Sequence, residues 1–141
     1  MFSSEASHGT YSTKMKNISL KISGIPYGKS KVRGNVGAPK DWSRAIIEQT
    51  KHLEIIKEPC FLDVTFHLPK SKYPKDLPHG SDLDNLLKRF FDALNETIFS
   101  EIEGRDSCII ELKAKKKLVN SDEEAGASLN ILTVSRQSKH M

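Results

Sequence analysis

This 141-residue chain has little with which to cross-link itself: it holds two cysteines. Cys60 and Cys108 lie far apart in the sequence, each in an apolar, strand-like run. That placement reads as buried free thiols in a reducing compartment rather than a disulfide, so a cytoplasmic location is expected. No apolar run approaches the ~20 residues that span a bilayer. The first residues, "MFSSEASHGTYSTKMKN", lack the apolar stretch of a secretory signal. No internal repeat and no low-complexity tract is present. Hydrophobic residues at 37% and charged residues at 28% are ordinary for a globular protein. The length suits a single domain that buries its own core.

The charge is unevenly placed. Residues 1–76 carry 13 Lys/Arg against 7 Asp/Glu, and residues 77–141 carry 9 against 11. A basic first half beside an acidic cluster suits a protein that attracts a polyanion and coordinates a cation at one place. Ordinary surface charge with chance asymmetry is the bland alternative.

Along the chain, residues 1–16 are polar and aperiodic and read as a loose leader, with Met15 as an alternative start. "NISLKIS" alternates, with Ile18, Leu20 and Ile22 on one face, and predicts a strand. "GIPYGKSKVRGNVGAPK" is a loop rich in glycine, proline and basic residues. From Asp41, Trp42, Ala45, Ile46, Leu53 and Ile56 recur at helical spacing and predict a helix that stops before Pro59. "CFLDVTFHL" predicts a half-buried strand with Cys60, Leu62, Val64, Phe66 and Leu68 inward. After the loop "PKSKYPKDLPHGS", Leu83, Leu87, Phe90, Leu94 and Ile98 draw one apolar helical stripe. "SCIIELKAKKKLV" alternates Ile110, Leu112 and Ala114 against Glu111, Lys113 and Lys115, and "LNILTVS" closes the domain as a strand. The order β-α-β-α-β-β predicts an α+β fold, with two helices packed on one face of a four-stranded mixed sheet.

"SDLDNLLK" carries the chemistry. Asp84 and Lys88 are one helical turn apart on a polar stripe that continues through Phe91 and Asn95. Two residues apart inside a helix point ~200° apart, so Asp82 converges with Asp84 only from a non-helical position before the first turn. Pro78 and Gly80 permit that. A plain helix start would explain the same residues: Asp82 or Ser81 as cap at ~1 kcal/mol, and an Asp84–Lys88 pair at ~0.3–0.5 kcal/mol. Asp106, entering the next strand, adds a third carboxylate. Three hard oxygen ligands with room for water and phosphate are what Mg²⁺ prefers.

"DLDNLLKRFFDALN" followed by "RDSCIIELKAKK" resembles the RusA family of Holliday junction resolvases, small phage and bacterial endonucleases. Asp82, Asp84, Asn85, Lys88, Asp92, Ala93 and Leu94 match its D-x-D-N-x-x-K-x-x-x-D-A-L pattern. "GIPYGKSKVRG" resembles its G-x-P-x-x-K-x-R-x-R loop, with Lys29, Lys31 and Arg33 in the basic places. The resemblance covers about residues 17–135, the nuclease domain, followed by a tail at 136–141. It implies a homodimeric enzyme that uses Mg²⁺, with Mn²⁺ as a substitute, to nick two strands of a four-way DNA junction symmetrically in recombination and repair. Hydrolysis would leave 5′-phosphate ends. Metal ligands would fall on Asp82, Asp84 and Asp106, and the catalytic lysine on Lys88. One departure stands out: where the family has an acidic pair, this chain has Arg105-Asp106.

Lys29, Lys31, Arg33, Lys70, Lys72 and Lys75, on the two loops, are candidates for phosphate contacts. The lysines at 113–117 carry less weight, because charge on an exposed strand also protects a sheet edge. Tyr73 and Phe91 are candidates to stack at a junction. Glu111-Leu112-Lys113 resembles the E-x-K of restriction-endonuclease-like nucleases, with Asp82 as its upstream acid, but a helix intervenes where that fold expects consecutive strands. A catalytically silent junction-binding protein is the other alternative. His79 has no companion ligands at zinc spacing.

Overall fold

The computed structural model describes residues 11–28, 37–71 and 82–138. Four strands and two helices alternate as β1 (Tyr11–Ser23), α1 (Gly37–Thr50), β2 (Cys60–Pro69), α2 (Leu83–Leu94), β3 (Ile109–Val119) and β4 (Gly126–Ser138). Short 3-10 turns at Arg105–Cys108 and Asp122–Glu124 precede the last two strands. The sheet order is β1-β4-β2-β3, with β4 antiparallel to both neighbours and β2 parallel to β3. This is the α+β arrangement expected from the sequence. Among the described residues, no helix is long and apolar enough to cross a membrane.

Strand β2 lies inside the sheet and behaves as its alternation predicts. Cys60, Leu62, Val64, Phe66 and Leu68 are all buried against the helices, while Asp63 is exposed on the opposite face. A parallel neighbour cannot be reached by a tight hairpin, so the chain crosses over, and α2 is the crossover helix. Helix α2 buries Leu86, Phe90, Ala93 and Leu94, and α1 buries Trp42, Ile46 and Thr50. Phe90 sits between them, edge-on to Phe66 at 5.4 Å and stacked on Trp42 at 6.5 Å between ring centroids.

Four features differ from the sequence reading. Strand β1 opens at Tyr11 and β4 runs to Ser138, so the β1–β4 ladder takes in residues 11–16 and 136–138, placed above in a leader and a tail. Helix α1 ends at Thr50, not before Pro59. The Thr50 hydroxyl donates to the Ile46 carbonyl and meets the Thr97 hydroxyl at 2.8 Å. Ile56 is buried off the helix, its N–H donating to the Ile98 carbonyl. Its helical spacing was produced by a loop docking on the same core. In α2 the fully buried stripe is turned toward Leu86 and Ala93, leaving Leu83 and Leu87 half-buried.

The fourth difference is in β3. Cys60 pairs with Ile109 but Phe61 pairs with Glu111, so Ile110 stands in a bulge outside the ladder. Ile110 is 60% exposed and Leu112 42% exposed, because β3 is an edge strand that the helices only partly cover.

Candidate active site

Asp82 is the N-cap residue of α2, with extended backbone (φ −66°, ψ 145°). Its carbonyl accepts the Leu86 N–H, but its side chain makes no capping hydrogen bond. The simple explanation of Asp82, a helix cap, therefore fails: its carboxylate is not committed to the helix end. Asp84, in the first turn, accepts the Asn85 backbone N–H at Oδ1 (3.0 Å). Both carboxylates are exposed, and Lys88 is exposed one turn further in. The pair stands beyond the C-terminal end of β2, where open sheets with crossover helices usually bind ligands.

The loop that carries the basic residues begins against this helix turn. A Cβ on Gly28 would lie 2.8 Å from the Asn85 Cβ and 3.0 Å from both the Asn85 carbonyl carbon and the Leu86 nitrogen. Only glycine fits so close to a helix backbone without displacing something. Gly28→Ala is expected to cost about 1–3 kcal/mol, as overpacking does elsewhere, read as a lower urea midpoint. An unchanged midpoint would mean that the loop does not rest there. Lys29, Lys31, Arg33, Lys72, Lys75, Tyr73 and His79 lie outside the described residues. Lys70 is described: it is exposed at the end of β2, its N–H held by the Val119 carbonyl.

Beside the acids, a cleft of about 410 Å³ runs between the two helices, lined by Gly28, Ser43, Asn85, Lys88, Arg89, Asp92 and Glu96 among others. Arg89 bridges the helices, donating from Nη1 to the Ser43 hydroxyl (2.8 Å) and the Pro39 carbonyl (3.3 Å). Its Nε is buried without a partner among the described residues. Gly28 and Arg89 were not singled out from the sequence. The only local signal for Arg89 was a cation next to Lys88 inside an apolar helix.

Asp106 is not with the pair. It lies in the turn before β3, where its Oδ2 accepts from Asn95 Nδ2 at 2.9 Å. Asn95 caps the far end of α2, about 16 Å along the axis from Asp84 at 1.5 Å per residue. The reason is topological. A crossover helix runs back along the sheet, so its first residues and the first residues of the next parallel strand lie at opposite ends. Among the described residues no three His, Cys, Asp or Glu side chains gather as a metal-binding group. The two-carboxylate pair is nonetheless compatible with Mg²⁺, which keeps several waters and commonly takes one or two carboxylates plus substrate phosphate.

Arg105 occupies a left-handed backbone conformation (φ 50°) directly after Gly104 (φ 82°). Positive φ is costly for a side chain of this size. Glu111 and Lys113 sit on the sheet face away from the helices, in register with Phe61 and Asp63. The sheet separates them from Asp82, so the E-x-K reading has no assembled site. Phe91 is half-buried beside Phe90, at 6.3 Å, and packs with the core. Cys60 and Cys108 are free thiols, Cys60 buried and Cys108 only half-buried, and burial pushes the Cys60 thiol up to about 12.

Comparison with known proteins adds one match. The family model described as Endodeoxyribonuclease RusA matches residues 35–131. No curated protein matches the chain.

Proposed function

Because the chain belongs to the RusA endodeoxyribonuclease family, we propose that it is a divalent-metal-dependent enzyme that resolves four-way DNA junctions by paired nicks. The observation that carries this reading is the acid pair at the start of α2, with Asp82 free of capping duty. Asp82 and Asp84 are the residues that would hold Mg²⁺ or Mn²⁺. When bound, the ion supplies Lewis acidity toward the scissile phosphate and a more acidic water.

This chain's own residues do the rest. The Asn85 N–H holds the Asp84 carboxylate through one of its oxygens. Lys88, exposed one turn in, lends positive charge to the phosphoryl oxygens as negative charge builds on them. The cleft along α2 gives the substrate strand a place beside Lys88. Asp106 is the third carboxylate that the family pattern assigns; held by Asn95 at the other end of α2, it does not reach the pair within one copy of the chain. A twofold dimer would present two such sites to symmetric strands. Phosphate contacts from Lys70 and from the basic residues of the two loops would hold the junction.

The test is cleavage of a synthetic four-way junction beside a linear duplex of matching sequence, with Mg²⁺ or with chelator. Paired nicks in the junction alone, only with metal, are expected. Binding without cutting under every divalent metal tried would leave a silent junction-binding protein, and the enzymatic reading would be abandoned.

A further inference from the structure

The helices cover one face of the sheet; among the described residues no element covers the opposite face. Strand register arranges its outward side chains in rows across β1, β4, β2 and β3. Ser19, Asn130, Asp63 and Lys113 make one row. Lys21, Ser128, Thr65 and Lys115 make the next, and Ser23, Gly126, His67 and Lys117 the third. The middle of this face holds a shallow trough of about 510 Å³, lined by Ser19, Lys21, Thr65, Ser128 and Asn130 together with the Asp63 carboxylate. Lysines stand on both sides of it, Lys21 on β1 and Lys113, Lys115 and Lys117 on β3, all exposed. Two acids share the face, Asp63 opposite Lys113, and Glu111 one row further from the His67 end.

We infer that this trough is a second nucleic-acid contact, in which a phosphodiester backbone lies along the sheet between Lys21 and the Lys113–Lys115–Lys117 row. The inference rests on the proposed action on DNA junctions and adds a surface on the far side of the sheet from α2. None of the four lysines belongs to an ion pair among the described residues. Among the described residues, Lys21 Nζ donates only to the Glu124 carbonyl. His67, whose Nε2 meets the Ser128 hydroxyl at 2.8 Å, is held below the usual imidazole value by burial first, and then by Lys21 and Lys117. A histidine that is neutral near pH 7 there adds a hydrogen-bonding group without charge.

Continuity supports the same occupant. Because β2 and β3 are parallel, Lys117 lies near the end of the sheet where β2 finishes, two residues before Val119, whose carbonyl holds the Lys70 N–H. A junction arm that passes the acids meets Lys70, then Lys117, Lys115 and Lys113 in turn. Charge on the two edge strands also guards them against pairing, but edge protection does not require Lys21, Lys113, Lys115 and Lys117 all to stand on one face of the sheet.

The test is the salt dependence of binding to a four-way junction and to linear duplex, in chelator, so that cutting plays no part. Each phosphate contact contributes about 0.9 to the slope of log K against log salt on duplex DNA. Replacing Lys113, Lys115 and Lys117 together by Gln is expected to reduce that slope by roughly 2–3, and Lys21→Gln by about 1. The triple Arg replacement should keep the parent slope, and a matching unfolding midpoint shows that both triple variants are folded. An unchanged slope in the Gln variants overturns the inference, as does a parent that binds neither DNA at low salt. A change in oligomeric state with an unchanged slope would instead make this face a contact between copies. Metal-dependent cutting by the parent is scored separately, so failure here leaves the reading of the acid pair standing.

Discussion

Asp84→Asn is expected to abolish cutting of the four-way junction while leaving junction binding within about twofold of the parent. The substitution keeps the shape of the side chain and an oxygen to accept the Asn85 N–H, but removes the charge that a divalent ion needs. Helix α2 loses only a small dipole contribution, about 0.3–1 kcal/mol, so the fold should survive. The loss in rate should be at least ~10³-fold, on the scale seen when a group that stabilises developing charge is removed. Residual cutting at the parent rate would remove Asp84 from the mechanism. Asp106→Asn, measured beside it, distinguishes two forms of the site. A smaller loss means that the pair at the start of α2 suffices; an equal loss means that Asp106 is also needed for cutting, although one copy of the chain keeps it at the other end of the helix.

The second large effect is on stability. Phe90 is fully buried where both helices meet the sheet, against Trp42, Phe66 and Phe91. Phe90→Ala is expected to cost about 3–5 kcal/mol, because the stiff aromatic neighbours cannot collapse into the space. Natural domains hold only about 5–15 kcal/mol in total, so the variant should unfold at a much lower urea concentration. It should also cut poorly at 37 °C, since the same helix carries the acid pair. A cost below about 1 kcal/mol would mean that the three rings do not meet as described.

Much of the fold was legible because its signals are local. The alternation of β2 is the signature of a strand buried on one side, and all five inward residues are buried as read. The stripe of α2 marked a helix, although its buried face is turned toward Leu86 and Ala93 by the neighbours it meets. Leu53 and Ile56 misled because apolar residues at helical spacing also arise when a loop docks on a core. Ile110 misled because a bulge shifts the register of β3 by one residue, and a bulge leaves no mark in hydrophobic alternation.

What the sequence determined by itself is the local frame of the acid pair. "DLDN" before an amphipathic helix fixes two carboxylates and a lysine within two turns, since dihedral preferences and helical periodicity act over a few residues. Tertiary structure alone decided what lies far apart in the chain. It left the Asp82 side chain off the helix end, seated Gly28 against Asn85, and set Asp106 beside Asn95 instead of beside the pair. The cause of that last placement is the parallel β2–β3 crossover, which puts the start of α2 and the start of β3 at opposite ends of the sheet. Strand order likewise brought Lys21 and the β3 lysines to the two sides of one trough.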